Sequence, residues 1–244
     1  MMINRRVLVT RPQPGAARTA ARLVKLSFDP VILPLTKIVA LPHDVPATLP
    51  DLVVATSQQA FRHLSAAAAT KLASLPVIVT GKASAAAARE AGFLDVVQSG
   101  GDVSELISLL SSRLKPGEHI LYLAGRVRRP ELEHYMVARR LAMDVAEVYD
   151  TIPVSHSTDK ILGLGTDGEV NAVLLTSVTS ANRFVEIAAA YKQAQLFDNA
   201  IIICLSERIA DALKHHLPNP VAVASAPTED ALLNSLATAL SSVR

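Results

Sequence analysis

Thr56-Ser57 and Thr176-Ser177 lie 120 residues apart (177 − 57), and each pair closes a short apolar run and opens a helical pattern. Such a junction presents hydroxyls together with the unpaired backbone N–H groups of a helix start, including those of Gln58 and Val178. That combination can seat an anion. Ordinary N-capping uses the same residue types and is the alternative. Gly81-Lys82-Ala83-Ser84 follows another apolar run, where a glycine lets backbone approach a ligand and Lys82 can meet a carboxylate. A tight turn is the competing account. Arg126, Arg128 and Arg129 precede Pro130, a residue suited to the first helical position. Guanidiniums there oppose the helix dipole, which favours an anionic ligand over a purely structural purpose, with a solvated face as the alternative.

Other chemistries lack their residues. The seven histidines, among them His63, His119, His134 and the pair His215-His216, show no metal-ligand spacing with Cys or carboxylates. No GxxxxGK[ST] or GxSxG occurs, and Gly163-Leu164-Gly165 with Gly168, although spaced as GxGxxG, lies in a polar stretch before a strand and reads as a linker. Lys plus Arg number 24 against 22 for Asp plus Glu, so no overall field gathers nucleic acid and any anion binding must be local. The single Cys204 sits in an apolar run and excludes an intrachain disulfide, which suits a reducing compartment. The apolar stretch after Arg5-Arg6 is too short for a signal-peptide core, and no run reaches the roughly 18 residues that span a bilayer. A soluble cytoplasmic protein, without membrane attachment, is expected.

The elements that must position these residues alternate as short strands and helices, the pattern of parallel sheets. Half the residues are hydrophobic but only 4% are aromatic, so the cores must be built from Ala, Leu, Val and Ile. A strand at 7–10 leads to a helix with Ala16, Ala20, Leu23 and Val24 on one face, then to a strand at 31–33. A second block runs from a strand at 51–57 through a helix carrying Phe61, Leu64 and Leu72 to strands at 77–79 and 95–97. Asp102 then caps a helix, with Glu105 placed to complete a capping box. This block recurs as 171–177, a helix with Phe184, Val185 and Ala188, strands at 201–203 and 221–223, and a helix capped by Thr228. The first block recurs as 119–125, a helix through Leu132, Tyr135 and Met136, and a strand at 145–148. The expectation is an α/β fold of two similar parallel-sheet, flavodoxin-like βαβ domains. Open parallel sheets bind ligands beyond the carboxyl ends of their strands, so a cleft between the domains is the natural site.

Taken in order, 7–12 (VLVTRP), 53–57 (VVATS), 79–85 (VTGKASA), 123–126 (LAGR), 148–151 (VYDT) and 173–177 (VLLTS) resemble uroporphyrinogen-III synthases. The resemblance implies a domain of 1–36 plus 154–244, a second of 40–148, and extended linkers at 33–39 and 148–153. It implies hydroxymethylbilane, a chain of four pyrroles bearing eight carboxylates, as substrate. Loss of its hydroxyl as water, attack by ring D to a spiro intermediate and reclosure with ring D inverted need no metal or organic cofactor. Tyr149 matches the family tyrosine that can hydrogen-bond or protonate the departing hydroxyl, with packing at the hinge as its other role. Arg11, Thr56, Ser57, Gln58, Gly81, Lys82, Ser84, Gly125, Arg126, Arg128, Thr176, Ser177, Val178 and Ser206 are the implied substrate-binding residues. Ser84 replaces a usual threonine. The segment 205–210 (LSERIA) loses both the glycine and the threonine of the family pattern, which puts backbone approach at Ser206 in question. A monomer is expected, with the preceding enzyme that makes hydroxymethylbilane as a possible partner. A non-catalytic two-domain module binding an acidic ligand is the competing class.

Overall fold

Aliphatic runs of three to seven residues are too short to bury a helix face and instead pair side by side. In the computed structural model, which describes residues 5–115 and 117–241, they build two predominantly parallel sheets. The chain divides into two units, one comprising everything up to Lys37 together with everything from Ile152 onward, the other Ile38–Thr151.

The first unit opens with β1 (Arg6–Val9), α1 (Gly15–Lys25) and β2 (Asp29–Ile32). β3 (Thr36–Ala40) leads into the second unit, which continues with β4 (Leu52–Ala55), α2 (Gln58–Arg62), α3 (Ala66–Leu72), β5 (Val77–Thr80) and α4 (Gly81–Glu90). β6 (Val96–Ser99), α5 (Val103–Arg113), β7 (His119–Gly125), α6 (Glu131–Arg139) and the long β8 (Ala142–Pro153) follow. The first unit resumes with α7 (Thr158–Leu162), β9 (Val170–Leu175), α8 (Val178–Ala190), β10 (Ile201–Cys204), α9 (Glu207–Asp211), β11 (Val221–Val223) and α10 (Glu229–Ser241).

The five-stranded sheet has the order β11-β10-β9-β1-β2, and the six-stranded sheet β3-β8-β7-β4-β5-β6. The repeat legible in the sequence thus yields the same order twice, with β4, β5, β6, β7 and β8 standing where β9, β10, β11, β1 and β2 stand. Every residue of β1, β4, β5 and β10 is buried, as central parallel strands covered on both faces require. One face of the first sheet packs Leu8, Val173, Phe184 and Ile202, the other Val7, Leu174, Ile203 and Leu236. In the second sheet the corresponding faces carry Val53, Val79 and Leu123, and Val54, Ile120 and Tyr122. In each unit the chain steps outward from one strand and then returns to its other side, so β4 and β7, like β9 and β1, flank a topological switch point.

Several local expectations are corrected. Val24 is 61% exposed, because the buried stripe of α1 runs through Gly15, Ala16, Thr19, Ala20 and Leu23. The helix expected across Phe61 to Leu72 breaks at Ser65, which caps α3 by accepting from Ala68 N–H. The strand at 31–33 runs instead over Asp29–Ile32, and Asp95 lies outside β6. Pro130 is the N-cap of α6 and not its first helical residue. Asp102 accepts from Glu105 N–H as expected, but the Glu105 carboxylate lies over Gly100, where any Cβ would collide with it. Gly163–Gly165 forms a 3-10 turn with Leu164 buried. The buried Arg6 holds that turn by donating to Leu164 O at 2.6 Å and to Gly168 O.

Candidate functional site

In the second unit, the carboxyl ends of β4, β5, β7 and β8 bring together most of the residues singled out from the sequence. Ser57 is the N-cap of α2 in extended conformation, and its hydroxyl accepts from Gln59 N–H at 3.2 Å. Thr56, just before it, has its Oγ1 2.9 Å from the Tyr122 hydroxyl, while its carbonyl accepts from Thr80 Oγ1 at 2.9 Å. Opposite stands Gly125, the last residue of β7. The register between β7 and β8 slips there, pairing Ala124 with Glu147 but Gly125 with Tyr149. A bulge of this kind re-aims a side chain. The Tyr149 ring accordingly lies over Gly125, where a Cβ would come within 2.6 Å of Tyr149 Cζ and 2.9 Å of its hydroxyl oxygen. The His63 ring is 6.0 Å from that of Tyr149, centroid to centroid.

The guanidiniums beside them are not bare. Arg126 N–H donates to Tyr149 O at 2.9 Å, and its side chain reaches Glu147 at 3.2 Å and Asp150 at 3.3 Å. Arg128 pairs with Glu133 at 2.8 Å and Glu147 at 2.7 Å, and also donates to Gly125 O at 3.2 Å. These arginines therefore do have internal partners, a structural purpose that the sequence argument weighed below an anionic ligand. Hydrogen bonds from Arg128, and then Arg126, hold the Glu147 carboxyl below its usual range. Partial burial depresses the Arg128 pKa, but its bonds to Glu133 and Glu147 outweigh that and raise it. The exposed Arg126 pairs with Glu147 through a labile surface contact, so a ligand carboxylate can exchange with Glu147 at Arg126 at modest cost.

Lys82 is exposed on the first turn of α4, but its neighbours are less available. Gly81 adopts φ +69, which is what demands glycine there, and its N–H already donates to Gly100 O at 3.0 Å. Ser84 is buried on the core face of α4, away from solvent.

The first unit presents the equivalent edge. Ser177 caps α8 in extended conformation and forms a reciprocal capping box with Ser180, placing Thr176 and Val178 at the end of β9. Arg11 follows β1 but turns its guanidinium over Gly15 and toward Glu229, 3.5 Å away, with a bond to Thr19 Oγ1 at 3.3 Å. Burial lowers the Arg11 pKa, and Glu229 partly offsets it. Ser206 stands at the N-cap position of α9 without a side-chain capping bond, at φ −160, extended backbone that any residue adopts, so the missing glycine costs no strain. Among the described residues, no group of three or more His, Cys, Asp or Glu side chains is arranged to hold a metal ion, and no helix is long and apolar enough to cross a membrane.

Sequence reasoning missed Tyr122, Glu147, Asp150 and the placement of His63. Tyr122 and Glu147 occupy ordinary strand positions, and only the pairing of β7 with β4 and β8 brings them to the site.

A family model described as uroporphyrinogen-III synthase HemD matches residues 17–234. A curated relative, the porphyrin biosynthesis protein HemD of Ruminiclostridium josui, is 21% identical over 96% of this chain, and the chain spans about half (48%) of that relative's length. The uroporphyrinogen-III synthetase of Helicobacter pylori superposes with a TM-score of 0.66 at 18% identity, over 97% of this chain and 99% of that one. A mutant uroporphyrinogen III synthase from Thermus thermophilus superposes with a TM-score of 0.56 at 20% identity, over 98% and 99% of the two chains. At these identities the superpositions establish a shared fold.

Proposed function

The chain belongs to the uroporphyrinogen-III synthase family, and we propose that it cyclises hydroxymethylbilane to uroporphyrinogen III, acting as a cyclising lyase in tetrapyrrole synthesis. The substrate loses its terminal hydroxyl as water, leaving an azafulvene-like electrophile. The substituted carbon of ring D attacks it, and the spiro intermediate breaks and recloses with ring D inverted. The pyrrole nitrogens supply the electron push, so the protein's contribution is to hold a flexible chain in the conformation that favours spiro closure.

The observation that carries this reading is the Tyr149 phenol laid over Gly125 at the switch point of the second unit. There it stands near the helix start after Ser57 and the guanidiniums of Arg126 and Arg128. In this reading the phenol hydrogen-bonds or protonates the departing hydroxyl. The substrate carboxylates are taken by the helix starts after Ser57 and Ser177, by Lys82, by Arg128, and by Arg126 in exchange for Glu147. The buried Ser84 and the occupied N–H of Gly81 contribute through the backbone shape of the turn. We further assign the protein to the cytoplasm as a monomer that receives substrate from the enzyme producing it.

The test is conversion of hydroxymethylbilane by the purified chain with separation of product isomers. Type III product in excess is expected, and binding without conversion would favour the binding-module alternative. Isomer III formation is expected to survive exhaustive chelation and dialysis; activity restored only by an added metal would count against the assignment.

A further inference from the structure

Two hydroxyls meet at the switch point of the second unit. Tyr122 is 2% exposed, with its ring in the core beside Leu132 and Met136 and its oxygen 2.9 Å from Thr56 Oγ1. The distance alone allows either oxygen to donate. A phenol is far more acidic than an alkyl alcohol, and its lone pair is delocalised into the ring, so it donates well and accepts poorly. Burial also pushes the Tyr122 ionisation upward, which keeps its proton in place at neutral pH. The direction is therefore from Tyr122 to Thr56. The Thr56 carbonyl is taken by Thr80 Oγ1, so the residue is fixed through both its oxygens. What remains is the Thr56 hydrogen, free to point away from β7.

We propose that Tyr122 is a positioning residue that turns the Thr56 hydroxyl into a one-way hydrogen-bond donor for a carboxylate of the ligand. The inference rests on the reading that ligand carboxylates gather at the carboxyl end of β4. It is specific to one switch point. Tyr122 pairs with Val54 of β4, and the corresponding place beside Leu174 of β9 is held by Val9, which has no hydroxyl.

The experiment is a double-variant cycle with Tyr122→Phe, which keeps the ring and removes the donor, and Thr56→Val. It is read as kcat and KM for hydroxymethylbilane and as the Kd of uroporphyrin III, a stable octacarboxylate. Tyr122→Phe is expected to raise KM and Kd about 3- to 10-fold and to leave kcat within about twofold. The double variant is expected to be no worse than Thr56→Val alone, because both changes delete one device. Thr56→Ser should retain near-native binding in the presence of Tyr122. Unchanged KM and Kd in Tyr122→Phe, or effects that multiply in the double variant, would overturn the proposal. Should Tyr122→Phe fail to fold by near-ultraviolet dichroism, the comparison of Thr56→Ser with Thr56→Val decides, and equal binding by the two sinks the idea. Absence of isomer III from the wild-type chain would refute the enzymatic reading by itself. The Kd arm would still report on Thr56, and a wild-type chain that binds no octacarboxylate overturns the positioning role.

Discussion

Tyr149 owes its place to a missing atom on its neighbour. Because Gly125 carries no Cβ, the ring can lie over the end of β7, and because β8 bulges there, it is aimed at that end. Gly125→Ala is expected to push the ring aside, since the new carbon would sit 2.6 Å from Cζ. Turnover should fall about as far as in Tyr149→Phe, with only a modest drop in melting temperature. Tyr149→Phe itself is expected to slow turnover roughly 10- to 100-fold, at or below the lower limit of what a positioned acid contributes. Loss of all turnover in a folded Tyr149→Phe protein would mean that a side-chain acid is indispensable. At this scale the sequence disclosed residue types but not partners. Arg126 and Arg128 were visible as a cluster, whereas Glu147 and Asp150, about 20 residues further on, join them only through parallel pairing of β7 and β8.

Helix starts were the most legible elements. Ser57, Asp102, Ser177 and Thr228 all cap as their types suggest, because capping is decided by a residue and the two or three amides that follow it. The break between α2 and α3 was not legible, since Phe61, Leu64 and Leu72 keep a helical spacing across Ser65. The strand-end amides of α2 and α8 can be tested by deletion. Gln58 and Val178 are first helical residues, and the caps before them have φ/ψ of −148/139 and −151/153, which a following proline favours. Gln58→Pro and Val178→Pro should therefore melt within a few degrees of wild type while KM rises several-fold. Variants as active as wild type would remove these amides from the binding account.

At the scale of the molecule, the duplication was readable because two strand ends 120 residues apart share a pattern, while the order of strands within each sheet was not encoded in any local run. The one thiol reports on the first unit. Cys204 lies fully buried at the end of β10, and burial, helped by Glu207, pushes its pKa up to about 12. The neutral thiol's contribution to stability is then present below its ordinary pKa of 9 and is lost as pH rises from 9 toward 12. Wild type is expected to lose denaturant resistance relative to Cys204→Ala across that window. Thiol reagents at pH 8 should label the native chain only at the rate at which the first unit opens.

The pairing of β1 with β9 also sets a timetable. Arg6 lies against Val170, so the strand made first must wait for about 160 further residues before its central partner exists. At typical synthesis rates of roughly 5–20 residues per second, that delay is on the order of 10 to 30 s. Throughout it, Val7, Leu8 and Val9 can pair only with β2, leaving one edge of an apolar strand open on the ribosome, whereas the second unit emerges as one continuous stretch. Slowed translation beyond residue 151 should thus favour aggregation of the nascent chain, and a holdase that shields short aliphatic strands should relieve it.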